Sequence, residues 1–361
     1  MVIVYVLTSL GVGGAERQVL ALAERMADRG HAAKLLVLRP QLNEQWPASL
    51  PVIHLDMRRT PLSVLKGIWR ARRFLRGCRP DIVHSHSFHA NMVARLLKIF
   101  AHAPVVLSTV HNVYEGGLHR MIAYRLTDFL CARTTAVSTA AAQRFVRLGA
   151  VPKQKCAVVT NGIDVLEFSS IPDQRKSMRA AMQAGENFIW LTAGRLVPAK
   201  DIPNLLRAFA QVQTAFPATQ LWVAGAGEAR TAQQNVRWLG LRRDLPALLD
   251  GADGFVLASA WEGMPLVVGE AMAMEKPVVA TDVGGVRELV GDAGMLVPAK
   301  NSDALAIAML AVMRSSTEVR QKLGYAARGR IENFFSMDAR ADQWESLYRT
   351  LFVPDRWSPR V

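Results

Sequence analysis

Two glutamates eight residues apart are the side chains of this sequence best suited to hold a polyhydroxylated ligand. Glu262 stands in the loop after a predicted strand, and Glu270 stands two turns into a helix that Pro265 opens. Eight residues at 100° each place the two carboxylates about 80° apart around the helix axis, which lets them face one crevice. A carboxylate accepts hydrogen bonds from the vicinal hydroxyls of a ribose or a hexose. The alternative is a carboxylate that complements the helix dipole, which needs only one of the two.

The start of the same helix offers a second kind of contact. Backbone N–H groups in the first turn of a helix have no partner within the helix, so they can meet phosphate or sugar oxygens. The residues around this helix start are Gly263, Met264, Pro265 and Leu266.

Two cations follow the first predicted strand of the second half. Arg195 and Lys200 lie in the segment AGRLVPAKD, close to a predicted helix start. Two such charges can neutralise a diphosphate without a metal. The sequence has no D-x-D motif to hold a divalent cation on a diphosphate, so we expect no metal and no other cofactor. The alternative is that both residues are surface cations on a loop.

A glycine-rich loop, TSLGVGGAE at residues 8–16, joins the first predicted strand to the first helix. Gly13 and Gly14 let backbone N–H groups approach an anion at the helix N-terminus. The loop does not complete G-x-G-x-x-G, and the sequence contains no G-x-x-x-x-G-K-S/T, which disfavours a simple NAD site and a P-loop ATPase. A tight turn without a ligand is the alternative.

Histidines follow two other predicted strands. His84, His86 and His89 form an H-x-H-x-x-H cluster, but the neighbouring sequence supplies no carboxylates or thiolates to complete a metal site. His111 and Asn112 lie in the segment TVHN. We expect His111 to face a cleft between two domains and to polarise a substrate hydroxyl or a developing positive charge. No Ser–His–Asp order or G-x-S-x-G elbow is present.

The elements that must position these residues alternate between short apolar runs and amphipathic stretches. This alternation predicts βαβ units and parallel sheets, in which ligands sit at the carboxyl ends of the strands. We therefore predict two doubly wound α/β domains that face one another across a cleft. The predicted strands are 2–7, 34–38, 52–55, 81–84, 105–109, 134–137, 156–159, 188–193, 220–224, 236–239, 254–257, 278–280 and 295–297. The predicted helices are 15–29, 63–76, 89–100, 119–131, 140–148, 202–215, 245–249, 265–274 and 303–313.

Chain length supports two domains, because a single core rarely grows beyond about 300 residues and this chain has 361. We assign residues 1–165 to an N-terminal domain and residues 166–335 to a C-terminal domain, with a polar linker over 161–183. The chain after Thr317 is predicted to be helical, ending in an amphipathic stretch at 337–351. Residues 353–361 are predicted to form a loose tail.

Composition excludes several classes of protein. Half of the residues are hydrophobic and a fifth are charged, which is typical of a globular chain. No apolar run reaches the roughly 18 residues of a membrane span, and the first residues lack the features of a signal peptide. The three cysteines show no C-x-x-C spacing, which fits a reducing cytosol.

The net charge of +14 is concentrated in one half of the chain. Residues 1–165 hold 22 Lys and Arg against 9 Asp and Glu, whereas the remainder holds 22 against 21. This asymmetry suggests a polyanionic partner such as an anionic membrane leaflet. Nucleic acid is disfavoured, because no aromatic platform or known motif accompanies the charges. The alternative is that Arg-rich helix faces serve only solubility.

The densest basic stretch, LSVLKGIWRARRFLRGCR at 62–79, is predicted to form an amphipathic helix. Its apolar residues are Leu62, Leu65, Ile68, Trp69, Phe74 and Leu75. We expect this apolar stripe to pack on the sheet and the neighbouring charges to attract an anionic membrane surface.

Taken in order along the chain, these motifs resemble the retaining glycosyltransferases of family 4, which have the GT-B fold of two Rossmann-like domains. The resemblance spans about residues 2 to 350, and the combination of E-x7-E with the G-R…K element is its most specific part. The motifs that carry it are GGAE at 13–16, HSHS at 84–87, TVHN at 109–112, NGID at 161–164, GRLVPAKD at 194–201, GAGE at 225–228, EGMPLVVGEAMA at 262–273 and DVGGVRELV at 282–290.

The resemblance implies that the C-terminal domain binds a nucleoside diphosphate sugar, which we expect to be UDP-linked. It places Arg195 and Lys200 on the diphosphate. It places Glu270 on the ribose and Glu262 on the donor sugar, with the backbone around Leu241 reading the base.

For the N-terminal domain the resemblance implies acceptor binding. Gly13 and Gly14 would approach the donor phosphates, and His111 would lie against the transferred sugar. The last helix, residues 336–352, would cross back onto this domain. The acceptor-side candidates are His86, His111 and Asn112.

The resemblance also implies the reaction: metal-independent transfer with retention, in which the acceptor oxygen attacks the face from which the diphosphate leaves. The segments HNVYEGG at 111–117 and KDIPNLLRAF at 200–209 resemble members that build O-antigens, capsules or exopolysaccharides. We therefore expect a lipid-linked glycan acceptor and a peripheral enzyme on the inner face of the cytoplasmic membrane. The alternatives are a small soluble acceptor, a GT-B nucleotide-sugar epimerase, and a non-catalytic scaffold that binds sugar nucleotide or membrane.

Overall fold

Two α/β units make up the chain, and the computed structural model describes residues 1–11, 13–41, 49–101, 105–227 and 232–352. The first unit consists of Met1–Asn161 together with the C-terminal helix Met337–Leu351, and the second unit consists of Gly162–Ser336. The tail predicted at 353–361 and Glu228 of the GAGE motif lie outside the described residues.

Strands and helices alternate along the first unit. Its elements are β1 (Val2–Leu7), α1 (Gly14–Asp28), β2 (Ala32–Val37), β3 (Val52–His54), α2 (Pro61–Cys78), β4 (Ile82–His86), α3 (Phe88–Phe100), β5 (Val105–Val110), α4 (Leu118–Thr127), β6 (Arg133–Ala136), α5 (Thr139–Arg147) and β7 (Cys156–Val158). The described strands form one parallel sheet in the order β3-β2-β1-β4-β5-β6-β7. This order is that of a doubly wound sheet, as predicted.

Helices cover both faces of the first sheet. On one face, Val19 and Leu22 of α1 pack with Trp344 and Tyr348 of the C-terminal helix against Tyr5 in β1. On the other face, α2 and α3 pack their small and branched residues against the same strands. Strands β4 and β5 are buried along their whole length, which is expected of parallel strands covered on both sides.

The apolar stripe predicted to seat α2 on the sheet is confirmed for some residues and wrong for others. Leu75 is buried and Ile68 and Phe74 pack against the core, but Leu62, Leu65 and Trp69 are exposed. The other two buried residues of the helix are small, Gly67 and Ala71. They allow close approach, since a Cβ atom on Gly67 would lie 2.4 Å from the Met57 side chain.

The second unit repeats the architecture. Its elements are α6 (Gln174–Ala181), β8 (Ile189–Ala193), α7 (Ile202–Ala215), β9 (Gln220–Ala224), β10 (Val236–Gly240), α8 (Leu245–Gly251), β11 (Gly254–Leu257), α9 (Leu266–Ala273), β12 (Val278–Thr281), α10 (Val286–Val290), β13 (Met295–Val297), α11 (Ser302–Arg314) and α12 (Thr317–Phe334), after which α13 (Met337–Leu351) returns to the first unit. The described strands form a parallel sheet in the order β10-β9-β8-β11-β12-β13.

The segment predicted as a polar linker, 161–183, instead contains helix α6. None of the residues of α6 is buried, so hydrophobic periodicity gave no signal for it. The helix is held by charge: Arg175 and Arg179 both form ion pairs with Asp253 and donate to main-chain carbonyl oxygens near the end of α8. Among the described residues, no helix is both long enough and apolar enough to cross a membrane.

Candidate active site

The loops that follow the central strands of the second sheet are joined to one another by main-chain hydrogen bonds. Parallel strands bring their carboxyl ends to one edge, so these loops converge there. The hydrogen-bonded pairs, with the N–H donor first, are Gly194 with Ala224 (2.9 Å), Gly225 with Gly240 (2.7 Å), Ala260 with Ala199 (2.8 Å) and Gly285 with Gly263 (2.7 Å). The predicted site segments 194–200, 225–227 and 262–266 are therefore neighbours.

One contact in this set requires glycine. Gly225 has a φ of +156°, and a Cβ atom there would lie 1.8 Å from the carbonyl oxygen of Gly194. No side chain fits that gap without moving one of the two loops. The loops after β8 and β9 thus approach as closely as two backbones can.

Lys200 and Glu262 form a shielded ion pair at this edge. Their atoms Nζ and Oε1 are 2.6 Å apart, and the side chains are 18% and 11% exposed. The Ser259 hydroxyl also donates to Glu262 Oε1 over 2.7 Å, and Thr281 Oγ1 donates to the Ser259 carbonyl oxygen over 2.7 Å. The carboxylate of Glu262 is therefore held in place by a cation and a hydroxyl, and its second oxygen takes no part in these two contacts.

Arg195 lies on the same loop as Lys200 but in a different environment. It is exposed, and its guanidinium forms no ion pair with any described residue. The two predicted phosphate-binding cations are thus unlike: Lys200 is fixed against Glu262, and Arg195 is available to an incoming anion.

The second glutamate, Glu270, begins the second turn of α9 and is 4% exposed. The helix begins at Leu266, so Glu262 precedes it and Glu270 lies one turn into it, not two. The predicted 80° angle between the carboxylates around one helix axis is therefore wrong, because only Glu270 belongs to the helix. Among the described side chains none caps α9 at Pro265, so its first-turn N–H groups face the loop that contains Gly263 and Met264.

The predicted base-reading backbone follows β10. Leu241 is half-buried directly after Gly240, which ends the strand with a φ of +65°. One residue further, Arg242 pairs with Asp244, and this guanidinium lowers the pKa of the Asp244 carboxyl. Beyond Gly227, Glu228 of this region lies outside the described residues.

In the first unit, Gly13 and Gly14 start α1 as predicted, and a carboxylate already lies at this helix start. Gly13 is the N-cap residue, Gly14 is exposed, and a Cβ atom on Gly13 would lie 2.4 Å from Glu16 Oε2. The Ser9 hydroxyl donates to the other oxygen of Glu16 over 3.2 Å. An anion at this helix N-terminus would have to approach beside Glu16.

The histidines of β4 and β5 meet at the carboxyl edge of the first sheet. His86 Nδ1 lies 3.0 Å from His111 Nε2, so one ring donates a hydrogen bond to the other. His84 uses both ring nitrogens, with Tyr348 Oη and Thr109 Oγ1 each at 2.7 Å. His84 is thus a core residue with hydroxyl partners, and His86 and His111, two of the predicted acceptor-side candidates, form a hydrogen-bonded pair.

Burial keeps these rings neutral. It lowers the pKa of His111 to about 4, and it lowers the pKa of His86 well below 6.5, with further lowering from His84 and His111. His86 Nε2 is buried and has no partner among the described residues. A cavity of about 10 Å³, enough for one water molecule, is lined by His86, His111, Thr160 and Asn161 within the first unit.

His89 and Asn112, the remaining candidates, play different parts. His89 is exposed on α3, away from the buried pair. Asn112 Oδ1 accepts the N–H of Tyr114 over 3.2 Å and so shapes the loop after β5. Among the described residues, no group of three or more His, Cys, Asp or Glu side chains is arranged to hold a metal ion.

Sequence reasoning missed two residues at these edges. Ser259 anchors Glu262, and its signal was a hydroxyl directly after a buried strand. Glu115 is a half-buried carboxyl whose Oε1 accepts the main-chain N–H of His111 over 2.9 Å. It lies four residues after His111 in a polar loop, and the spacing alone does not reveal that contact.

Comparison with known proteins gives the class of this fold. A crystal structure of Anabaena Alr3699/HepE in complex with UDP and glucose superposes with a TM-score of 0.84 at 20% sequence identity, over 97% of this chain and 100% of that one. The fold of this chain is therefore GT-B, as predicted.

Two family models match the sequence. The model described as Glycosyltransferase Family 4 matches residues 12–166, and the model described as Glycosyl transferases group 1 matches residues 187–315. Together they cover most of the chain, which belongs to glycosyltransferase family 4. The predicted family is confirmed.

Curated relatives are similar over most of their length. The Escherichia coli UDP-Gal:alpha-D-GlcNAc-diphosphoundecaprenol alpha-1,3-galactosyltransferase is 24% identical over 312 residues, which are 80% of each protein. The phosphatidyl-myo-inositol mannosyltransferase of Mycobacterium leprae is 27% identical over 371 residues, which are 94% of this chain and 93% of that protein.

The close approach at Gly225 generates a stability prediction. Gly225→Ala forces a methyl group against the Gly194 carbonyl, so we expect the second unit to lose at least about 2 kcal/mol of unfolding free energy. The control is Gly329→Ala in α12, where nothing lies within 4 Å of the added Cβ atom. That change should stabilise the helix by about 0.5–1 kcal/mol. Chemical denaturation of both variants checks this, and equal stability of the two would contradict the contact.

Proposed function

We propose that this glycosyltransferase moves a sugar from a UDP-linked donor to an acceptor hydroxyl, with retention of the anomeric configuration. The observation that carries the proposal is the grouping of Arg195, Lys200 and Glu262 at the carboxyl edge of the second sheet. It combines an exposed cation, a fixed cation and an anchored carboxylate beside an uncapped helix start. Diphosphate, sugar hydroxyls and ribose hydroxyls are the groups that such a set binds.

Lys200 can serve the donor without leaving Glu262. An ammonium group has three N–H donors, and the hydrogen bond to Glu262 uses one of them. A diphosphate oxygen can accept another, while Arg195 binds the phosphates from the solvent side with its planar fork of donors. Glu262 Oε2 and the carboxylate of Glu270 then accept from donor hydroxyls.

The proposed reaction exchanges one bond to the anomeric carbon for another. The acceptor oxygen forms a bond to that carbon, the bond from the carbon to the diphosphate oxygen breaks, and the acceptor proton passes to the leaving diphosphate. Arg195 and Lys200 stabilise the charge that develops on the leaving group. His111, neutral at pH 7, orients the transferred sugar by hydrogen bonding. These two cations supply the charge for which other enzymes use a divalent ion, so we propose transfer without a metal cofactor.

A lipid-linked glycan is the proposed acceptor. The names of two relatives support it, since one acts on a GlcNAc-diphosphoundecaprenol and the other on phosphatidyl-myo-inositol. The name of the first and the ligands of the HepE crystal support UDP as the donor nucleotide. We further propose that the enzyme works at the inner face of the cytoplasmic membrane, in the synthesis of an O-antigen, capsule or exopolysaccharide.

The outer surface of α2, α3 and α4 is the part of the first unit suited to that membrane. Helix α3 contacts both α2 and α4, so the three helices are neighbours. None of them contains an Asp or a Glu, and together they carry nine Lys and Arg, all but Arg95 outside the core. Their exposed apolar side chains are Leu62, Val64, Leu65, Trp69, Leu96, Ile99, Phe100, Leu118, Ile122 and Leu126.

Both properties match an anionic leaflet. Apolar side chains enter the headgroup boundary, and basic side chains around them meet lipid phosphates. Arg73 lies over the ring of Trp69 at 5.9 Å, which places a cation against the face of an aromatic anchor. We propose this three-helix surface as the membrane contact, and not only the charges of the 62–79 stretch.

The epimerase alternative lacks support in the first unit. Acid–base catalysis at a sugar carbon needs a carboxyl group that reaches the substrate. Glu115 is the carboxyl group at the histidine edge. Both of its oxygens already accept hydrogen bonds, one from the main-chain N–H of His111 and one from the Tyr124 hydroxyl.

Removal of either cation should lower turnover far more than it lowers stability. We expect Arg195→Ala and Lys200→Ala each to reduce kcat by about 100-fold, because leaving-group charge loses its stabilisation. Release of UDP from UDP-sugars in the presence of undecaprenyl-diphosphate glycans measures this. Arg207→Ala, which removes an exposed arginine of α7, is the control and should keep wild-type kcat. Wild-type turnover in a folded double variant would contradict the proposed roles, and loss of wild-type activity in EDTA would contradict transfer without a metal.

Membrane contact is tested with vesicles. Wild-type protein should sediment with vesicles that contain anionic lipid and not with purely zwitterionic ones. Leu65→Gln with Trp69→Gln should weaken binding at least about tenfold, because two exposed apolar side chains that enter the headgroup boundary are lost. Ile307→Gln on α11 of the second unit, also an exposed apolar residue, is the matched control. Equal binding of all three proteins would contradict this surface.

A further inference from the structure

The loop after β5 is closed by its own side chains. In HNVYEGG at 111–117, Glu115 Oε1 accepts the N–H of His111 over 2.9 Å, and Asn112 Oδ1 accepts the N–H of Tyr114. Arg120 donates to the carbonyl oxygen of Glu115 over 2.6 Å. Gly116 turns the chain at a φ of +113°. The loop therefore has one defined shape, and Glu115 is its central residue.

Glu115 is anchored in the core through helix α4. Its second oxygen accepts the hydroxyl hydrogen of Tyr124 over 2.9 Å, and the same hydroxyl accepts from Asn91 Nδ2 over 2.9 Å. Tyr124 has no exposed surface. The carboxylate thus connects the main chain at the end of β5 to a fully buried side chain.

A buried arginine fixes Tyr124. Arg95 is fully buried and lies over the ring of Tyr124 at 5.0 Å. Its hydrogen bonds go to the Tyr124 carbonyl oxygen and to hydroxyl groups of Ser108, Thr127 and Thr134. The tyrosine that anchors Glu115 is therefore itself held at its ring and at its main chain.

The orientation of the His111 ring depends on these hydrogen bonds, because an uncharged ring cannot be oriented by an ion pair. Burial lowers the pKa of His111 to about 4, so the ring is neutral at pH 7. Its direction is set by two contacts: the hydrogen bond with His86 at the ring, and the contact between Glu115 and the main-chain N–H of the same residue.

We propose that Glu115 is the positioning residue for His111, holding the main chain at the end of β5 so that the imidazole keeps one orientation toward the substrate. This inference rests on the proposed function, in which His111 contacts the transferred sugar. Glu115 itself does not touch substrate, since both of its oxygens are engaged within the first unit.

The hydrogen bonds that Glu115 accepts from His111 and Tyr124 depend on pH. Burial raises the pKa of Glu115 to about 7, and the hydrogen bonds from His111 and Tyr124 and the charge of Arg120 oppose that rise. Above the pKa, both oxygens of the carboxylate accept their hydrogen bonds. Below it, one oxygen carries a proton and the loop loses one of the two contacts. Positioning is therefore complete at pH 8 and is lost as the pH falls through about 7.

The neighbouring groups whose pKa values are shifted lie outside this window. Burial raises the pKa of Tyr124 on α4, and it lowers the pKa of His89 on α3 and the pKa values of His84, His86 and His111. The charged side chains on the surrounding helices are Arg120 of α4, Arg95 of α3 and Arg144 of α5, which lies over the Tyr114 ring.

The first experiment observes the contact without activity. In protein labelled with ¹⁵N-histidine, the His111 amide signal should shift with a midpoint near pH 7, which is the pKa of Glu115 and not that of the His111 ring. In Glu115→Gln this shift should vanish. The matched control, Glu186→Gln on the exposed surface of the second unit, should leave it unchanged. An His111 amide that does not respond between pH 6 and 8 in the wild type would overturn the contact.

The second experiment measures transfer across the same pH range. Wild-type kcat should fall as the pH drops through about 7, with the donor KM unchanged. Glu115→Gln, which imitates the protonated group, should show a flat profile with kcat about tenfold below the wild-type value at pH 8. Tyr124→Phe keeps the carboxylate and removes its anchor, so it should lower kcat in the same way.

The outcomes separate the two claims. If the wild type transfers no sugar, the proposed function fails, and the His111 amide titration still decides whether Glu115 holds this loop. If the wild type transfers sugar and Glu115→Gln has wild-type kcat and an unchanged pH profile, the positioning role is overturned. A loss of donor affinity with kcat preserved would also overturn it, because orientation of His111 acts on the chemical step.

Discussion

Both sheets are built from parallel strands whose two faces are covered by helices, and this constraint decides where polar chemistry can lie. Within the central strands nearly every side chain is buried, so polar groups there must find partners inside the core. His84 does so through the hydroxyls of Tyr348 and Thr109. Groups that meet ligands are therefore confined to the loops beyond the last buried residue of each strand, where His111, Lys200 and Glu262 all lie.

The two edges handle charge in opposite ways. In the second unit the close backbone approach of Gly194 and Gly225 brings together loops that carry a shielded ion pair and an exposed arginine. In the first unit the edge residues His86 and His111 are neutral, because burial lowers their pKa values. A charged edge suits a diphosphate donor, and a neutral one suits a sugar and an acceptor hydroxyl. The proposed division of labour follows from this difference.

The hydrophobic pattern predicted most of the strands well, because buried parallel strands are continuous apolar runs. Strands β1, β9, β11 and β13 and helix α7 have the predicted bounds. Helix α6 was missed because charge holds it and no residue of it is buried. Leu62, Leu65 and Trp69 of α2 were assigned to the wrong side, because the small residues Gly67 and Ala71 allow close packing that a hydrophobicity pattern does not register.

Within the candidate site, sequence identified residue types better than residue relations. Glu262, Glu270, Arg195 and Lys200 were singled out from their chemistry, but the direct pairing of Lys200 with Glu262 joins segments 62 residues apart. The anchoring of Glu115 by Tyr124 likewise needs the geometry of α4 against β5. Such contacts depend on which loops meet at the edge of a sheet. The spacing of residues along one sequence does not show which loops these are.

The proposed function requires the carboxyl edge of the second sheet to bind a nucleoside diphosphate. The most direct measurement is the thermal unfolding midpoint with UDP, GDP, ADP, TDP and CMP, for the wild type and for Glu270→Ala. A ligand that binds only the folded protein raises this midpoint by mass action. UDP should raise the thermal unfolding midpoint of the wild type and not that of the variant. An unchanged wild-type midpoint with every nucleotide, or an equal rise in both proteins, would contradict it.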